Sequence, residues 1–175
     1  MNLKEYIRSI PDYPKKGILF RDITTLIKNP EAFKFANDKI IEIAKKIDFD
    51  KVSAIESRGF VFASTVSYVL NKPFILLRKK DKLPAETHSV DFKLEYGEAT
   101  IEVHKDSIAK DEKILVIDDL IATGGTAEAA AKLIEISGGK VAGFIFVINL
   151  FDLPGSKLLS EKGYKTSSLI EFPGH

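Results

Sequence analysis

The segment ILVIDDLIATGGT, residues 114–126, combines two adjacent carboxylates with a turn rich in glycine and threonine. Its apolar start predicts a buried strand, and Asp118 and Asp119 follow at the end where open parallel sheets bind ligands. The glycines let backbone N–H groups converge, the threonines add hydroxyls, and the following helix adds the positive end of its dipole. The turn therefore predicts a phosphate cradle. Its candidate residues are Ala122, Thr123, Gly124, Gly125 and Thr126.

The acid pair requires a different part of the same ligand, because carboxylates repel a phosphate. Sugar hydroxyls donate to carboxylates, and Mg²⁺ prefers oxygen ligands. Asp118 and Asp119 therefore predict contact with vicinal hydroxyls or with Mg²⁺. The alternative is that the two acids cap a turn and the glycines only permit tight geometry. The sequence contains neither G-x-x-x-x-G-K-[ST] nor G-x-G-x-x-G, so the better-known phosphate loops do not apply.

Two further polar groups follow other strand candidates. ESRG comprises Glu56, Ser57, Arg58 and Gly59; it ends a strand and opens a helix, which predicts a second anion-binding turn. RKKDKLP supplies Arg78, Lys79, Lys80 and Lys82 at the same predicted edge of the sheet. The alternative for ESRG is an ordinary helix start with Arg58 exposed. The alternative for RKKDKLP is a solvated cationic surface.

The elements that position these groups alternate between strand and helix. From Lys51 onward two strand–helix–strand units predict parallel pairing with right-handed crossovers. The strands are KVSAIE, PFILLR, KILVID and VAGFIFVINL, and the helices are GFVFASTVSYVLN and TAEAAAKLIEIS. Upstream, residues 3–10 read as a short helix stopped by Pro11, and Asn29 with Pro30 begins a longer helix that extends toward Ile47. The fold class is α/β, with a mainly parallel central sheet flanked by helices.

Between the two units, residues 91–104 alternate apolar and polar positions around Gly97, which predicts an antiparallel hairpin. Together with the preceding segment it forms an excursion of roughly thirty residues out of the sheet, a length typical of a lid. We expect a single domain over residues 1–175, with an N-terminal arm at 1–28 and a lid at 79–108.

Composition restricts the remaining possibilities. The chain has 175 residues, 45% hydrophobic and 29% charged, with a formal charge of +1, which gives no global attraction to nucleic acid or membrane. It has no cysteine, which excludes disulfides, thiolate metal sites and a cysteine nucleophile. The N-terminus does not resemble a signal peptide, and the longest apolar run is too short to span a bilayer. We expect a soluble, cytoplasmic protein.

ILVIDDLIATGGT resembles, over its full length, the phosphoribosyl-pyrophosphate motif of the type I phosphoribosyltransferases. IPDYPKKGILFRDIT, ESRGF, RKKDKLP and LEYG resemble, in that order, the adenine phosphoribosyltransferase family. The resemblance covers nearly the whole chain. It implies transfer of a phosphoribosyl group from phosphoribosyl pyrophosphate to adenine, giving AMP and pyrophosphate in purine salvage, with Mg²⁺ held mainly by the substrate.

The resemblance also implies residue roles. The ESRG turn would grip pyrophosphate through a strained Glu56–Ser57 peptide, together with Arg78 and lysines among Lys79, Lys80 and Lys82. One lysine would come from a partner subunit, which implies a homodimer, and the sequence does not say which lysine crosses. The acid pair would engage the ribose.

For the base, GILFRDIT would form the pocket, with Phe20 and Leu150 as walls and backbone groups near Leu19 and Arg21 reading the edge of adenine. Glu95 and Tyr96 lie in the hairpin and match the acid/base position of the family lid. The related hypoxanthine-guanine enzymes carry an acid where this chain has Ala122, which argues against a 6-oxopurine acceptor. The alternative for Glu95 is an exposed hairpin glutamate without chemistry. His88, His104 and His175 show no metal-ligand spacing and read as surface residues.

Two other functions remain open. A regulator of the same fold could sense phosphoribosyl pyrophosphate without turning it over, although such regulators carry a DNA-binding domain for which we expect no room here. The second open function is the same reaction with xanthine, guanine or a pyrimidine as the acceptor. The GILFRDIT segment argues against it.

Overall fold

The computed structural model describes residues 1–94 and 97–175, so Glu95 and Tyr96 lie outside the described residues. The strands are β1 (Arg8–Pro11), β2 (Leu19–Asp22), β3 (Lys51–Ile55), β4 (Phe74–Lys79), β5 (Thr87–Lys93), β6 (Glu98–His104), β7 (Lys113–Ile121), β8 (Lys140–Leu150) and β9 (Thr166–Phe172). The helices are α1 (Thr24–Lys28), α2 (Pro30–Ala44), α3 (Arg58–Leu70), α4 (Gly125–Ile136) and α5 (Gly155–Glu161), preceded by a 3₁₀ turn over Leu3–Tyr6.

A seven-stranded sheet in the order β5-β6-β4-β3-β7-β8-β9 forms the centre. β4, β3, β7, β8 and β9 pair in parallel, which confirms the predicted α/β fold with its mainly parallel sheet. Along β7, Leu115 and Ile117 belong to the core that contains α2 and α3, whereas Ile114 and Val116 belong to the core that contains α4. Helices therefore cover both faces of the sheet, which is why this strand is apolar at consecutive positions.

Helix α2 begins as predicted. Asn29 accepts a hydrogen bond from the Ala32 amide at 2.9 Å, and Pro30 occupies the first turn. The helix ends at Ala44, short of the predicted Ile47.

The N-terminal arm corrects one prediction. Residues 3–10 do not form one helix: a 3₁₀ turn ends at Tyr6, and β1 then pairs antiparallel with β2 in a separate two-stranded sheet. A residue that precedes proline is disfavoured in the helical region, so the chain is extended before Pro11. Arg8 adds a hydrogen bond from its Nε to Asp22 at 3.0 Å, which fixes β1 to β2.

The predicted antiparallel hairpin is confirmed, and it begins earlier than expected, at Thr87. It does not leave the sheet, however. β6 pairs antiparallel with β4 and so extends the sheet edge. Val90, Ile101 and Val103 are buried in the same core as Leu77, and this burial explains why the hairpin stays against the sheet.

The C-terminal end of the chain adds two elements that the sequence patterns did not indicate, α5 and β9. β7 also continues to Ile121, so the acid pair lies within a strand rather than just after it. In the part of the chain that the structure describes, no helix is long and apolar enough to cross a membrane.

Candidate active site

A cavity of about 440 Å³ opens at the carboxyl ends of β3 and β7. The turns that follow these two strands form its polar side, and the β5–β6 hairpin forms another wall. Of the predicted site residues, it is lined by Glu56, Ser57, Arg58, Lys79, Asp118, Asp119, Ala122, Thr123, Gly124, Gly125 and Thr126. The structure therefore brings together three groups that the sequence placed at separate strand ends.

The turn before α4 has the geometry of an anion site. Gly124 adopts φ +90°, a left-handed conformation that favours glycine, and α4 starts at the next residue without a side-chain cap from any described residue. The first amides of a helix have no acceptor within the helix, so these N–H groups are available to a ligand. Together with the helix dipole they can hold a phosphate.

The acid pair lies beside this turn, with Asp119 buried and Asp118 partly buried. Asp119 is only 6% exposed, and its Oδ2 accepts a hydrogen bond from Arg58 Nε at 2.5 Å. Asp118 Oδ1 accepts from the Asp119 amide at 2.8 Å. Burial, followed by the negative charge of Asp119, raises the pKa of Asp118 well above its ordinary value, and the Arg58 guanidinium offsets this only in part. Two adjacent carboxylates therefore lie in a polar pocket that has one nearby cation to balance them.

Gly59 explains how Arg58 reaches the acid pair. A Cβ at this position would lie 3.0 Å from Asp118 Oδ1 and 3.0 Å from the Ile117 carbonyl oxygen. The start of α3 therefore lies so close to β7 that a side chain at this position would require its neighbours to shift by a few tenths of an ångström. Because Arg58 precedes this glycine, its guanidinium reaches across to Asp119.

The peptide bond between Glu56 and Ser57 is cis. The Glu56 carboxylate faces the end of β4: its Oε1 accepts from the Lys79 amide at 2.7 Å and lies 3.3 Å from Arg78 Nε. Glu56 thus joins the ESRG turn to the cationic segment that follows β4.

The cations of RKKDKLP divide into two groups. Lys79 lines the cavity, and Arg78 is half-buried with its Nη1 donating to the Lys82 carbonyl oxygen at 3.5 Å. Lys80 and Lys82 are exposed and lie outside the cavity lining. Only part of the predicted pyrophosphate group therefore converges on the cavity.

The predicted base segment lies next to this cavity rather than in its lining. Phe20 packs edge-on against Tyr13, with ring centroids 5.2 Å apart, and faces the Arg58 guanidinium, whose Cζ is 6.0 Å from the Phe20 ring centre. Leu150 is buried at the end of β8. Leu19 is partly buried and pairs with Pro11 in the β1–β2 ribbon.

Arg21 extends its side chain toward the C-terminal strand. Its Nη1 donates to Ser9 Oγ at 2.6 Å and its Nη2 to the Pro173 carbonyl oxygen at 3.1 Å. Its guanidinium lies 4.5 Å from the centre of the Phe172 ring. Burial lowers the pKa of Arg21 from its ordinary value. Any contact of Arg21 with a base would therefore come from its backbone, as the sequence analysis expected.

Glu95 and Tyr96, the predicted lid residues, lie outside the described residues. Their neighbour Leu94 lines the cavity, as do four residues of the hairpin strands. Those four are Phe92, Ala99, Thr100 and Ile101. Sequence reasoning missed them, and the alternation that predicted the hairpin could indicate only Phe92, Ala99 and Ile101, because Thr100 lies on the opposite face.

A second omission is Gly155. Its amide donates to the Ala122 carbonyl oxygen at 2.9 Å, behind residues 122–126, which we call the phosphate turn. The Pro-Gly pair at the start of α5 was the available signal.

The donor set fits Mg²⁺ that is held largely by a substrate. Among the described residues, no group of three or more carboxylate, imidazole or thiolate side chains could hold a metal ion. Mg²⁺ commonly takes only one or two protein carboxylates and completes its shell with phosphate oxygens and water. Asp118 and Asp119 can supply those carboxylates at the cavity wall.

Comparison with known proteins agrees with this geometry. Residues 23–174 match the sequence model of the phosphoribosyl transferase domain. The chain is 72% identical over 175 residues to the adenine phosphoribosyltransferase of Pelagibacter ubique, covering 100% of both chains. It is 49% identical over 172 residues to that of Agathobacter rectalis, covering 98% of each.

Solved structures give the same result. The adenine phosphoribosyltransferase of Thermoanaerobacter pseudethanolicus matches with a TM-score of 0.93 at 44% identity, over 97% of this chain and 98% of that one. The enzyme of Giardia lamblia, complexed with 9-deazaadenine, matches with a TM-score of 0.92 at 33% identity, over 97% and 96% of the two chains. The chain described here belongs to the adenine phosphoribosyltransferase family.

Proposed function

We propose that this chain transfers the 5-phosphoribosyl group of phosphoribosyl pyrophosphate to adenine, giving AMP and pyrophosphate in purine salvage. The observation that carries the proposal is the single cavity in which the phosphate turn, the acid pair and the ESRG turn meet. A ligand that fits all three has a phosphate, vicinal hydroxyls and a second anionic group. Phosphoribosyl pyrophosphate has this composition.

We assign the 5-phosphate to the backbone amides and hydroxyls of residues 122–126. Asp118 and Asp119 then receive the ribose hydroxyls as hydrogen-bond acceptors. This arrangement separates like charges, because the carboxylates contact the neutral part of the ligand. Asp119 keeps its contact with Arg58 through Oδ2 and accepts a ribose hydroxyl on Oδ1, which has acceptor capacity left.

We assign pyrophosphate to the ESRG turn, with Ser57, Arg58 and the Gly59 amide at the start of α3 and Lys79 across the cavity. Arg78 and Glu56 have a supporting part, because their contact holds the β4 end against this turn. When bound, Mg²⁺ neutralises part of the charge of the diphosphate and makes it a better leaving group. The substrate would hold Mg²⁺ mainly through its own oxygens, and Asp118 and Asp119 would supply any protein carboxylate that completes the shell.

In the transfer itself, N9 of adenine forms a bond to C1 of the ribose while the bond from C1 to the pyrophosphate oxygen breaks. The electron pair of that bond leaves with pyrophosphate, and the proton on N9 must go to a base. We assign that role to Glu95, with Tyr96 next to it in sequence, because both belong to the LEYG segment that resembles the family lid and their neighbour Leu94 lines the cavity. General acid/base catalysis of this kind contributes about a hundredfold to ten-thousandfold.

We assign adenine to the space in front of β2, between Phe20 and Leu150, with the backbone groups of Leu19 and Arg21 at its edge. The ring of Phe20 next to Arg58 supports this, because the two side chains lie where the base site and the pyrophosphate site would meet. A planar purine stacks favourably on such an aromatic face.

The active form we propose is a cytoplasmic homodimer. Lys80 and Lys82 lie exposed and outside the cavity lining of their own chain, which supports a contribution to the site of a second subunit.

The reaction is tested by incubating the purified protein with phosphoribosyl pyrophosphate and Mg²⁺, offering adenine, hypoxanthine, guanine and uracil separately, and measuring nucleotide and pyrophosphate by chromatography. We expect AMP from adenine alone. Product from another base would reassign the acceptor. Binding of phosphoribosyl pyrophosphate without product from any base would instead identify a sensor.

A further inference from the structure

The phosphate turn is supported from behind by a second backbone segment. Gly155, the first residue of α5, is buried against it, and its amide donates to the Ala122 carbonyl oxygen at 2.9 Å. A Cβ on Gly155 would lie 2.4 Å from that oxygen and 2.9 Å from the Gly124 nitrogen. Gly155 does not have a positive φ, so the requirement for glycine here comes from space rather than from backbone conformation.

The restriction is reciprocal. A Cβ on Gly124 would lie 2.8 Å from the Gly155 Cα, so neither backbone leaves room for a side chain on the other. α5 is in turn fixed to α4: Lys162 Nζ lies 2.9 Å from Glu128 Oε1, and Leu159 is buried in the same core as Leu133 of α4. The contact therefore links the turn to the body of the domain.

This contact also determines the direction of a ligand-binding amide. The Ala122–Thr123 peptide bond is trans, so its carbonyl oxygen and its N–H point in opposite directions. The carbonyl oxygen points at Gly155, and the Thr123 amide consequently points away from Gly155. Ala122 and Thr123 both line the cavity, so we infer that the Thr123 amide faces it.

We propose that Gly155 is a positioning residue for the 5-phosphate, acting through Ala122 to aim the Thr123 amide. The proposal rests on the function assigned above, in which residues 122–126 bind that phosphate. It predicts that loss of the contact weakens the binding of every ligand that carries the 5-phosphate and leaves the binding of adenine unchanged.

The test compares Gly155→Ala with Gly139→Ala. Gly139 is also buried, also lacks a positive φ, and would place a Cβ 2.7 Å from Ile108 Cγ2 and 3.1 Å from the Glu112 carbonyl oxygen, outside the cavity lining. Both variants introduce a Cβ that clashes with its surroundings, more severely at Gly155, where the nearest atom belongs to the backbone, and of the two glycines only Gly155 touches the phosphate turn. Calorimetric titration with ribose 5-phosphate and with AMP, and the KM values for both substrates, supply the readouts.

For Gly155→Ala we expect the Kd of both phosphate ligands and the KM for phosphoribosyl pyrophosphate to rise about tenfold, which corresponds to about 1.4 kcal/mol, while the KM for adenine is unchanged. Gly139→Ala should lower the Tm and leave all four constants unchanged. Wild-type affinities in Gly155→Ala, or equal losses for adenine and the phosphate ligands, would overturn the proposal.

A second pair of variants covers the case in which Gly155→Ala does not fold. Lys162→Ala removes the exposed contact between α5 and α4, and Lys157→Ala removes only the exposed pair with Glu161 on α5 itself. We expect a smaller rise in the ribose 5-phosphate Kd for Lys162→Ala and none for Lys157→Ala; equal values for the two also contradict the proposal. A wild-type protein that binds no ribose 5-phosphate would refute the proposed function as well, whereas normal wild-type binding with unaffected variants would refute only the role of Gly155.

Discussion

The ion pair between Arg58 and Asp119 joins the two polar turns of the cavity, and it does so because Gly59 allows close approach. The same short region holds two adjacent carboxylates, of which Asp119 is buried and Asp118 is partly buried. This arrangement lowers the stability of the fold, since burial disfavours a charge that is only partly compensated.

This cost predicts that Asp118→Asn stabilises the protein at neutral pH while it weakens ribose binding. The pKa of Asp118 in the folded state is raised above the unfolded value of about 4. The folded state therefore holds a proton that the unfolded state releases, and stability falls as pH rises from about 4 through the folded pKa. Above that pKa the penalty is complete, and asparagine removes it.

The measurement is urea unfolding with EDTA at neutral pH and near pH 4. We expect a higher midpoint for Asp118→Asn at neutral pH and a smaller difference near pH 4. Asp106→Asn, an exposed aspartate in the turn between β6 and β7, should show no such pH-dependent gain. A loss of folded structure in Asp118→Asn would show instead that the carboxylate has a structural role.

Glu95, the proposed base, gives a prediction about chemistry. Glu95→Gln should lower kcat by about a hundredfold to ten-thousandfold, because the amide cannot accept the proton that leaves N9. The Kd for phosphoribosyl pyrophosphate should remain close to the wild-type value. Steady-state kinetics and calorimetry give the two numbers. The control is Glu98→Gln, which changes an exposed glutamate at the start of β6, and equal turnover in both variants would remove Glu95 from the mechanism.

Among the elements, β9 has a part in holding the N-terminal arm that carries the proposed base site. Arg21 lies over the Phe172 ring at 4.5 Å and Lys4 lies over it at 5.4 Å, while Arg21 also bonds to the Pro173 carbonyl oxygen. Two cations from the arm therefore converge on one aromatic ring of the last strand. The position of β2 depends on a strand that is distant from it in sequence.

Phe172→Leu should accordingly raise the KM for adenine about two- to fivefold, since a cation–π contact contributes about 0.5–1 kcal/mol. The KM for phosphoribosyl pyrophosphate should not change, because the phosphate turn lies on other elements. Initial rates at varied concentrations of each substrate measure both constants. Phe35→Leu removes a comparable ring under Lys39 on α2, which carries none of the proposed site, and should leave both KM values unchanged. A parallel rise in the two KM values for Phe172→Leu would argue against the arm as its target.

The elements that could be predicted from sequence are those with a strong local pattern. β3 with α3 and β7 with α4 follow from apolar runs, helical spacing and glycines at helix ends, and the polar turns between them locate the cavity. Arm strand β1 could not be predicted, because its conformation depends on pairing with β2. The Pro-Gly pair marks a turn at Gly155, but its contact with Ala122, like the contact of the Arg21 side chain with Pro173, joins residues far apart in the chain and could not be predicted.

The complete chain has almost balanced charge, at +1, so its attraction for anions depends on where the cations lie. Lys79 lies in the cavity wall, whereas Lys80 and Lys82 lie outside it on the same exposed segment. A division of this kind is expected if one group serves its own site and the other serves the site of a second subunit. A closed two-fold dimer would then complete two equivalent sites.

A complementation experiment tests this arrangement. One chain carries Lys80→Ala and Lys82→Ala, the other carries Asp119→Asn, and mixed dimers are isolated by two different affinity tags after co-expression. If the exposed lysines act across the interface, one site of the mixed dimer combines an intact acid pair with intact lysines. The mixed dimer should then recover about half of the wild-type activity, because one of its two equivalent sites is complete.

The control replaces the first chain with Lys79→Ala. Because Lys79 lines the cavity of its own chain, the mixed dimer with Asp119→Asn has one defect in each site and should recover nothing. Recovery with Lys79→Ala, or failure with the Lys80 and Lys82 variant, would reverse the assignment of the two groups. Elution of the wild-type protein as a monomer during active turnover would contradict the proposed dimer, since each chain would then complete its site with its own lysines.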